Sequence, residues 1–328
     1  MYSRTKLGIV VIVVLILLVA ISRLIHPSFS KSGPLISPNF FDSFNLTKTF
    51  SFEFESSPLQ KLVQSNLEGK KGEFGIYIEN LSKDEKYGYH ETEIFPAASL
   101  YKLVVMAAIL KEVEEGNLEL DTVISGSKSR LTSILGSVDW GYEERGDNIS
   151  YTVEEALTRI GEISDNFAAI MLTDKLSTIK VGIKDEGLLI KMPKELEMNQ
   201  TNLNPPGDEL ITTSPSDIAT FFRRLYNGQV VSQEASEKII GYLDGSKLNN
   251  RIPAGVPEGV RVIHKTGELA RVRHDAGIVY LEGNPYLIVL MSKDLQGEDD
   301  AIETMVNISK AVFKYFEEKS LKEKSEVK

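Results

Sequence analysis

The stretch AASLYKLVVMAAIL, residues 97–110, decides how this chain is read. From Leu103 to Leu110 every residue is apolar. A helix that is apolar all round is a buried one, so the segment is predicted as a central core helix. Yet it opens with Ser99 and Lys102, three residues apart and therefore on one helical face. An ammonium in such surroundings loses hydration, which lowers its pKa and makes the neutral amine accessible. A neutral amine beside a hydroxyl can take its proton while the hydroxyl attacks a carbonyl. The start of the helix adds backbone N–H groups where an oxyanion would form. The plainer reading is that Ser99 caps the helix and Lys102 points to water. Spacing alone does not decide, because S-x-x-K also starts at Ser3, Ser28, Ser125, Ser177 and Ser325. Only the copy at Ser99 leads into an unbroken apolar run.

Outward from this helix, the element order fixes the fold class. PLQKLVQSNL reads as a helix. EFGIYIEN and KYGYHETEIF read as two strands around a polar turn. Helical stretches follow through about residue 245. VRVIHKT is a strand, and DAGIVYLE and PYLIVLMSKD are two more around Gly283-Asn284. In the last segment Ile302, Met305, Val306, Ser309, Val312, Phe313 and Phe316 form a mostly apolar helical stripe, with Asp299 and Asp300 at its start. Strands at both ends with helices between predict an α+β fold: one antiparallel sheet built from both ends of the domain, flanked by helices, with an inserted all-helical lobe.

Composition narrows the chemistry. The chain has 328 residues and a net charge of -10, so a nucleic-acid partner is not expected. It has no cysteine and therefore no disulfide or thiol chemistry. Its four histidines lack helical metal-ligand spacing, and neither a metal nor a cofactor is expected. The N-terminus carries Arg4 and Lys6 ahead of an uncharged run from Leu7 to Ser22. Such a run reads either as an uncleaved single-pass anchor or as a cleaved signal, the latter using Ala20-Ile21-Ser22. In both cases the rest of the chain is expected outside the cytoplasm. The predicted organisation is a membrane segment at 1–25, a tether at 26–57, the folded domain at 58–317 and a frayed charged tail at 318–328. A monomer is expected.

Two more triplets occur once each: Ser164-Asp165-Asn166 before a helical run, and Lys265-Thr266-Gly267 ending the strand VRVIHKT. Each alone has a bland reading, as a helix cap and as a strand end. Together with Ser99-x-x-Lys102, their order and spacing resemble the three-motif signature of penicillin-recognising serine enzymes, and class A β-lactamases most closely. Ile211-Thr212-Thr213-Ser214-Pro215, with Gly207-Asp208 before it, also has the family's look, and the similarity covers about residues 56–317. The resemblance implies a β-lactamase/DD-peptidase-like fold and a role for each matching residue. Ser99 would be the acylated nucleophile and Lys102 its general base. Ser164 would relay a proton toward the leaving nitrogen, and Asn166 would bind the substrate's side-chain amide. Lys265, Thr266 and Gly267 would form the edge that holds its carboxylate. The backbone N–H groups of Ser99 and Glu268 would make the oxyanion hole. His274 falls where many members place a carboxylate-binding arginine, or else is a satisfied histidine beside Asp275.

Departures from the pattern concern the second chemical step. The family releases its acyl-enzyme with a water-activating glutamate in an E-P-x-L-N segment. Glu195-Leu196-Glu197-Met198-Asn199 is the nearest match, making Glu195 the candidate base and Asn199 its helper. Its proline is absent, and an ungapped alignment from Thr212-Thr213-Ser214-Pro215 puts Met198 at the base position instead. Pro193 and Ile211 stand where the family clamps this loop with an arginine–aspartate pair. Three functions remain open: a β-lactamase that turns over, a penicillin-binding, DD-peptidase-like protein that acylates and releases slowly, and a non-catalytic envelope protein that binds peptidoglycan-like ligands. The intact hydroxyl and amine set argues against the third.

Overall fold

The computed structural model describes residues 57–135, 147–179, 187–207 and 209–326. The expected membrane segment, nearly all of the tether, and Asp208 lie outside them. Among the described residues no helix is long and apolar enough to cross a membrane.

Helix α1 (Pro58–Leu67) begins where expected, with Pro58 at its first position and Ser57 Oγ accepting the Gln60 N–H at 3.1 Å. Strand β1 (Glu73–Asn80) follows. Strand β2 (Lys86–Tyr89) is shorter than the sequence pattern suggested, because His90 takes a positive φ of 47° and ends it. The remainder of that pattern supplies β3 (Phe95–Pro96), then a 3₁₀ turn over Ala98–Leu100, then α2 (Tyr101–Glu114). The helical lobe comprises the hairpin β4 (Val123–Ser127) and β5 (Asn148–Thr152), with α3 (Lys128–Leu135), α4 (Val153–Ile163), α5 (Asn166–Ile179) and α6 (Leu188–Glu195). Strand β6 (Thr212–Thr213) pairs with β3, and α7 (Pro215–Tyr226) and α8 (Gln233–Asp244) lead back to the sheet. Strands β7 (Val262–Leu269), β8 (Val272–Val279) and β9 (Tyr286–Lys293) precede the last helix, α9 (Glu298–Glu326).

The five-stranded sheet has the order β2-β1-β9-β8-β7, antiparallel throughout. Its centre is the pairing of β1 with β9, from Glu73 opposite Lys293 to Asn80 opposite Tyr286, so both ends of the domain meet as predicted. Strand β9 is buried along nearly its whole length. Alternate residues serve two cores: Leu287, Val289 and Met291 face the core that contains α2, while Ile288 and Leu290 face α1 and α9. A sheet covered on both faces needs this continuous apolar run rather than an apolar–polar alternation.

One expectation changes, and one loop finds its own supports. The chain after residue 317 is not a frayed tail: α9 continues to Glu326, Ser320 Oγ–H donates to the Glu282 carbonyl at 2.7 Å, and Lys319 pairs with Glu85 at 2.7 Å. The loop after α6, where Pro193 and Ile211 leave no arginine–aspartate clamp, is held by other groups. The buried Asp217 carboxylate on α7 accepts from Gln200 N and Thr201 Oγ1, both at 2.7 Å. Arg224, also on α7, pairs with Glu197 at 3.2 Å, and Gln200 Nε2 donates to the Thr92 carbonyl at 2.8 Å.

Two helical glycines separate packing from propensity. A Cβ at Gly161 in α4 would lie 2.1 Å from the backbone carbonyl oxygen of Tyr242 in α8, whereas one at Gly241 would meet nothing within 4 Å. Alanine normally stabilises a helix interior by about 1 kcal/mol over glycine. Gly241→Ala is therefore expected to raise stability by up to ~1 kcal/mol, and Gly161→Ala to lower it by about 1–3 kcal/mol through overpacking. Denaturant midpoints of the two variants check both signs.

Candidate active site

Burial places the first two residues. Helix α2 is packed on all sides, and Lys102 is carried with it to 0% exposure. Ser99 sits one turn earlier, in the 3₁₀ turn, where Ala98 holds a positive φ of 44°. That conformation is costly for a residue with a side chain and is kept only where its surroundings enforce it. The turn packs on β7: a Cβ at Gly267 would come within 3.2 Å of Ala98 Cβ. The Thr-Gly pair of the third motif thus lets the nucleophile's turn approach the sheet edge.

The second motif comes from the junction of two helices. Ser164 caps the C-terminal end of α4 in the left-handed conformation, φ 58° and ψ 38°. Asp165 is fully buried and works structurally: its Oδ1 accepts Phe167 N (2.8 Å) and Ala168 N (3.0 Å) at the start of α5, while Arg159 Nε donates to Oδ2 at 2.6 Å. This fixed corner aims Ser164 and Asn166 at Lys102. Lys102 Nζ lies 2.6 Å from the Ser164 carbonyl, 2.6 Å from Asn166 Oδ1 and 3.3 Å from Ser164 Oγ.

The third motif closes the set. Lys265 Nζ donates to Ser164 Oγ at 2.7 Å and to the Thr266 carbonyl at 2.9 Å. The Ser164 hydroxyl therefore stands between two buried amines. Burial holds the Lys102 amine well below the usual lysine range, and the nearby Lys265 charge adds to this against the opposing pull of Asp165. Burial likewise brings Lys265 down to about 7, with Asp275 opposing and Arg251 reinforcing the shift. Ser99, Ser164, Asn166, Thr266 and Glu268 border one cleft of about 190 Å³, with Leu248 at its side. A larger cavity of about 360 Å³, near Pro193 and Leu203, contains none of these groups.

Two expected site residues are not brought to the cleft. Glu195 is ion-paired with Lys111 at 2.6 Å. Lys111 lies nine residues beyond Lys102 on α2, which at 3.6 residues per turn and 1.5 Å per residue is the opposite face, about 13 Å along the axis. Met198, the alternative match to the family's glutamate, is buried. His274 is also fully buried: its Nε2 lies 2.8 Å from the Pro96 carbonyl, and its Nδ1 lies 2.8 Å from the Arg273 carbonyl and 3.1 Å from the Ser292 N–H. Burial pushes its pKa to about 4, against the Pro96 and Arg273 carbonyls, which pull it up. His274 ties β8 to the segment before Ser99 and does not border the cleft.

The structure adds residues that no motif announced. Arg251 is buried and pairs with Glu268 through Nη2. Asp275, buried beneath it, accepts the Ile252 N–H at 2.9 Å and lies 2.8 Å from His264 Nδ1. Arg251 belongs to no periodic segment, so only its exclusion from water in the fold marks it. Among the described residues no acidic or histidine cluster is arranged to hold a metal ion.

Comparison with known proteins agrees with this geometry. Residues 57–316 match the family model described as the β-lactamase enzyme family. Beta-lactamase FAR-1 of Nocardia farcinica is 28% identical over 66% of this chain and 70% of its own length. The carbapenem-hydrolyzing β-lactamase KPC of Klebsiella oxytoca is 26% identical over 70% and 78% respectively. The solved structure of PBP-A superposes with a TM-score of 0.69 at 25% identity, covering 79% of this chain and 96% of that one. A mutant of PBP-A solved as an acyl-enzyme complex with penicillin G superposes at 0.68, also at 25% identity and with the same coverage. The chain belongs to the β-lactamase enzyme family and is a β-lactamase/DD-peptidase-like serine hydrolase.

Proposed function

We propose that this hydrolase opens β-lactam amides, and peptide amides of the peptidoglycan type, through an acyl-enzyme on Ser99, and that it releases the acyl group slowly. The observation that carries the reading is the pair of buried amines sharing the Ser164 hydroxyl, one turn from Ser99. With Lys102 unprotonated, its two N–H bonds point at the Ser164 carbonyl and Asn166 Oδ1, leaving a lone pair to receive a proton. Ser99 Oγ attacks the lactam carbonyl and forms the C–O bond as its proton passes to Lys102. Collapse breaks the C–N bond, and the Ser164 hydroxyl delivers a proton to the departing nitrogen and is resupplied from the lysines. Lys265 and Thr266 take the substrate's carboxylate. PBP-A, captured in mutant form as a penicillin G acyl-enzyme, supports the first half of this sequence.

Slow release rests on Glu195. Hydrolysing the ester needs a base beside the acyl carbonyl, and the candidate carboxylate is held by Lys111 on the far side of α2. The apolar run behind Arg4 and Lys6 supports the further reading that the domain works outside the cytoplasm, tethered or exported.

Intact mass after incubation with penicillin G tests the scheme: a lasting adduct on Ser99 is expected, absent in Ser99→Ala. Lys102→Ala should slow acylation by a factor of about 100 or more, and unchanged acylation would remove Lys102 from the mechanism. Glu195→Ala should leave the adduct's lifetime within about twofold, since losing a surface ion pair has little energetic effect. A lifetime lengthened many-fold would restore Glu195 as the base.

The pH dependence has a defined sign. Lys265 has a lowered pKa, so its cation is present below about 7 and is lost above it. Acylation efficiency, which reports the free enzyme, should fall for a carboxylate-bearing β-lactam as pH rises through that value. A pH profile of kcat/KM, or of the second-order acylation constant, reads this directly.

A further inference from the structure

Glu268 borders the same cleft as Ser99, and its carboxylate accepts from Arg251 Nη2. The two partners differ in freedom: the Arg251 side chain is 1% exposed and the Glu268 side chain 45% exposed. Nε and Nη1 of Arg251 are buried and have no hydrogen-bond partner among the described residues. A buried guanidinium with unpaired donors is costly, which binds Arg251 to the one carboxylate it has. The buried carboxylate nearby, Asp275, is occupied by Ile252 N and His264. Burial opposes ionisation of Glu268, but the Arg251 hydrogen bond and charge, with Arg273 and Lys265, outweigh it and hold the group below its usual range. Its negative charge therefore persists beside the nucleophile.

We propose that the Glu268 side chain determines substrate selection: it occupies Arg251 as an internal anion, and so disfavours substrates with a carboxylate beside the scissile amide relative to those with a neutral or cationic group there. The inference rests on the acyl-enzyme reading above. A substrate carboxylate entering the cleft must either displace Glu268 from Arg251 or sit near it, and like charges placed together in a partly desolvated site repel strongly. Selectivity then arises from a repulsive group as well as from attractive ones. The exposed Glu268 moves in such an exchange, while the enclosed Arg251 stays.

The test compares one lactam with and without its charge. Second-order acylation constants of the full chain are measured with penicillin G and with its neutral methyl ester, in wild type, Glu268→Gln and Glu268→Ala, with Ser99 labelling read by mass. Both substitutions keep the backbone N–H. The acid-to-ester ratio is expected to rise about tenfold in both variants, through tighter initial binding of the acid, and the wild-type ratio should rise with salt. An unchanged ratio with Ser99 still labelled, including equal losses toward both compounds, overturns the role of Glu268 and leaves the acyl-enzyme reading intact. No adduct with either compound in any of the three proteins overturns that reading, and this inference with it.

Discussion

The structure turns on one lysine with nowhere to be solvated. Lys102 enters the core because α2 is apolar on every other side, and a helix that packs all round cannot leave one residue in water. A buried ammonium without partners is strongly unfavourable. The fold meets this in two ways at once: it lowers the amine's basicity, and it surrounds the nitrogen with the Ser164 carbonyl and Asn166 Oδ1. The same circumstances that make the group costly to fold make it reactive.

The surrounding devices serve that arrangement. The capping box at Thr152 and Glu155 starts α4 on a fixed axis, and the left-handed Ser164 ends it. Buried Asp165 then starts α5, so the corner that holds the second motif is rigid on both sides. On the sheet, His274 links β8 to Pro96 and Ser292, while Gly267 lets the Ser99 turn sit close to β7. Three walls of one cleft are thereby set by backbone geometry, and the functional side chains need to order only their own last bonds.

The charges around the cleft differ in exposure. Asp275, the two lysines and Arg251 are all buried, and Glu268 reaches solvent. Arg251 is thus paired with a carboxylate of the protein's own. The loop after α6 is held from α7 by Asp217 and Arg224, while Lys111 pairs with Glu195 away from the cleft.

Much of this was written in the sequence. The strand at β9 followed from its apolar run, the central helix from Leu103 to Leu110, and the three motifs from residues whose chemistry is fixed by type and local spacing. What depended on packing was not legible. The partner of Glu195 at the end of α6, the internal ends of the His274 hydrogen bonds and the burial of Arg251 each depend on which surface a residue meets, and that surface is supplied by chain far away in sequence. Periodicity specifies which face of an element is apolar. Only the assembled tertiary structure decides which charged groups are stripped of water together, and therefore which of them bind, which titrate and which merely hold a neighbour in place.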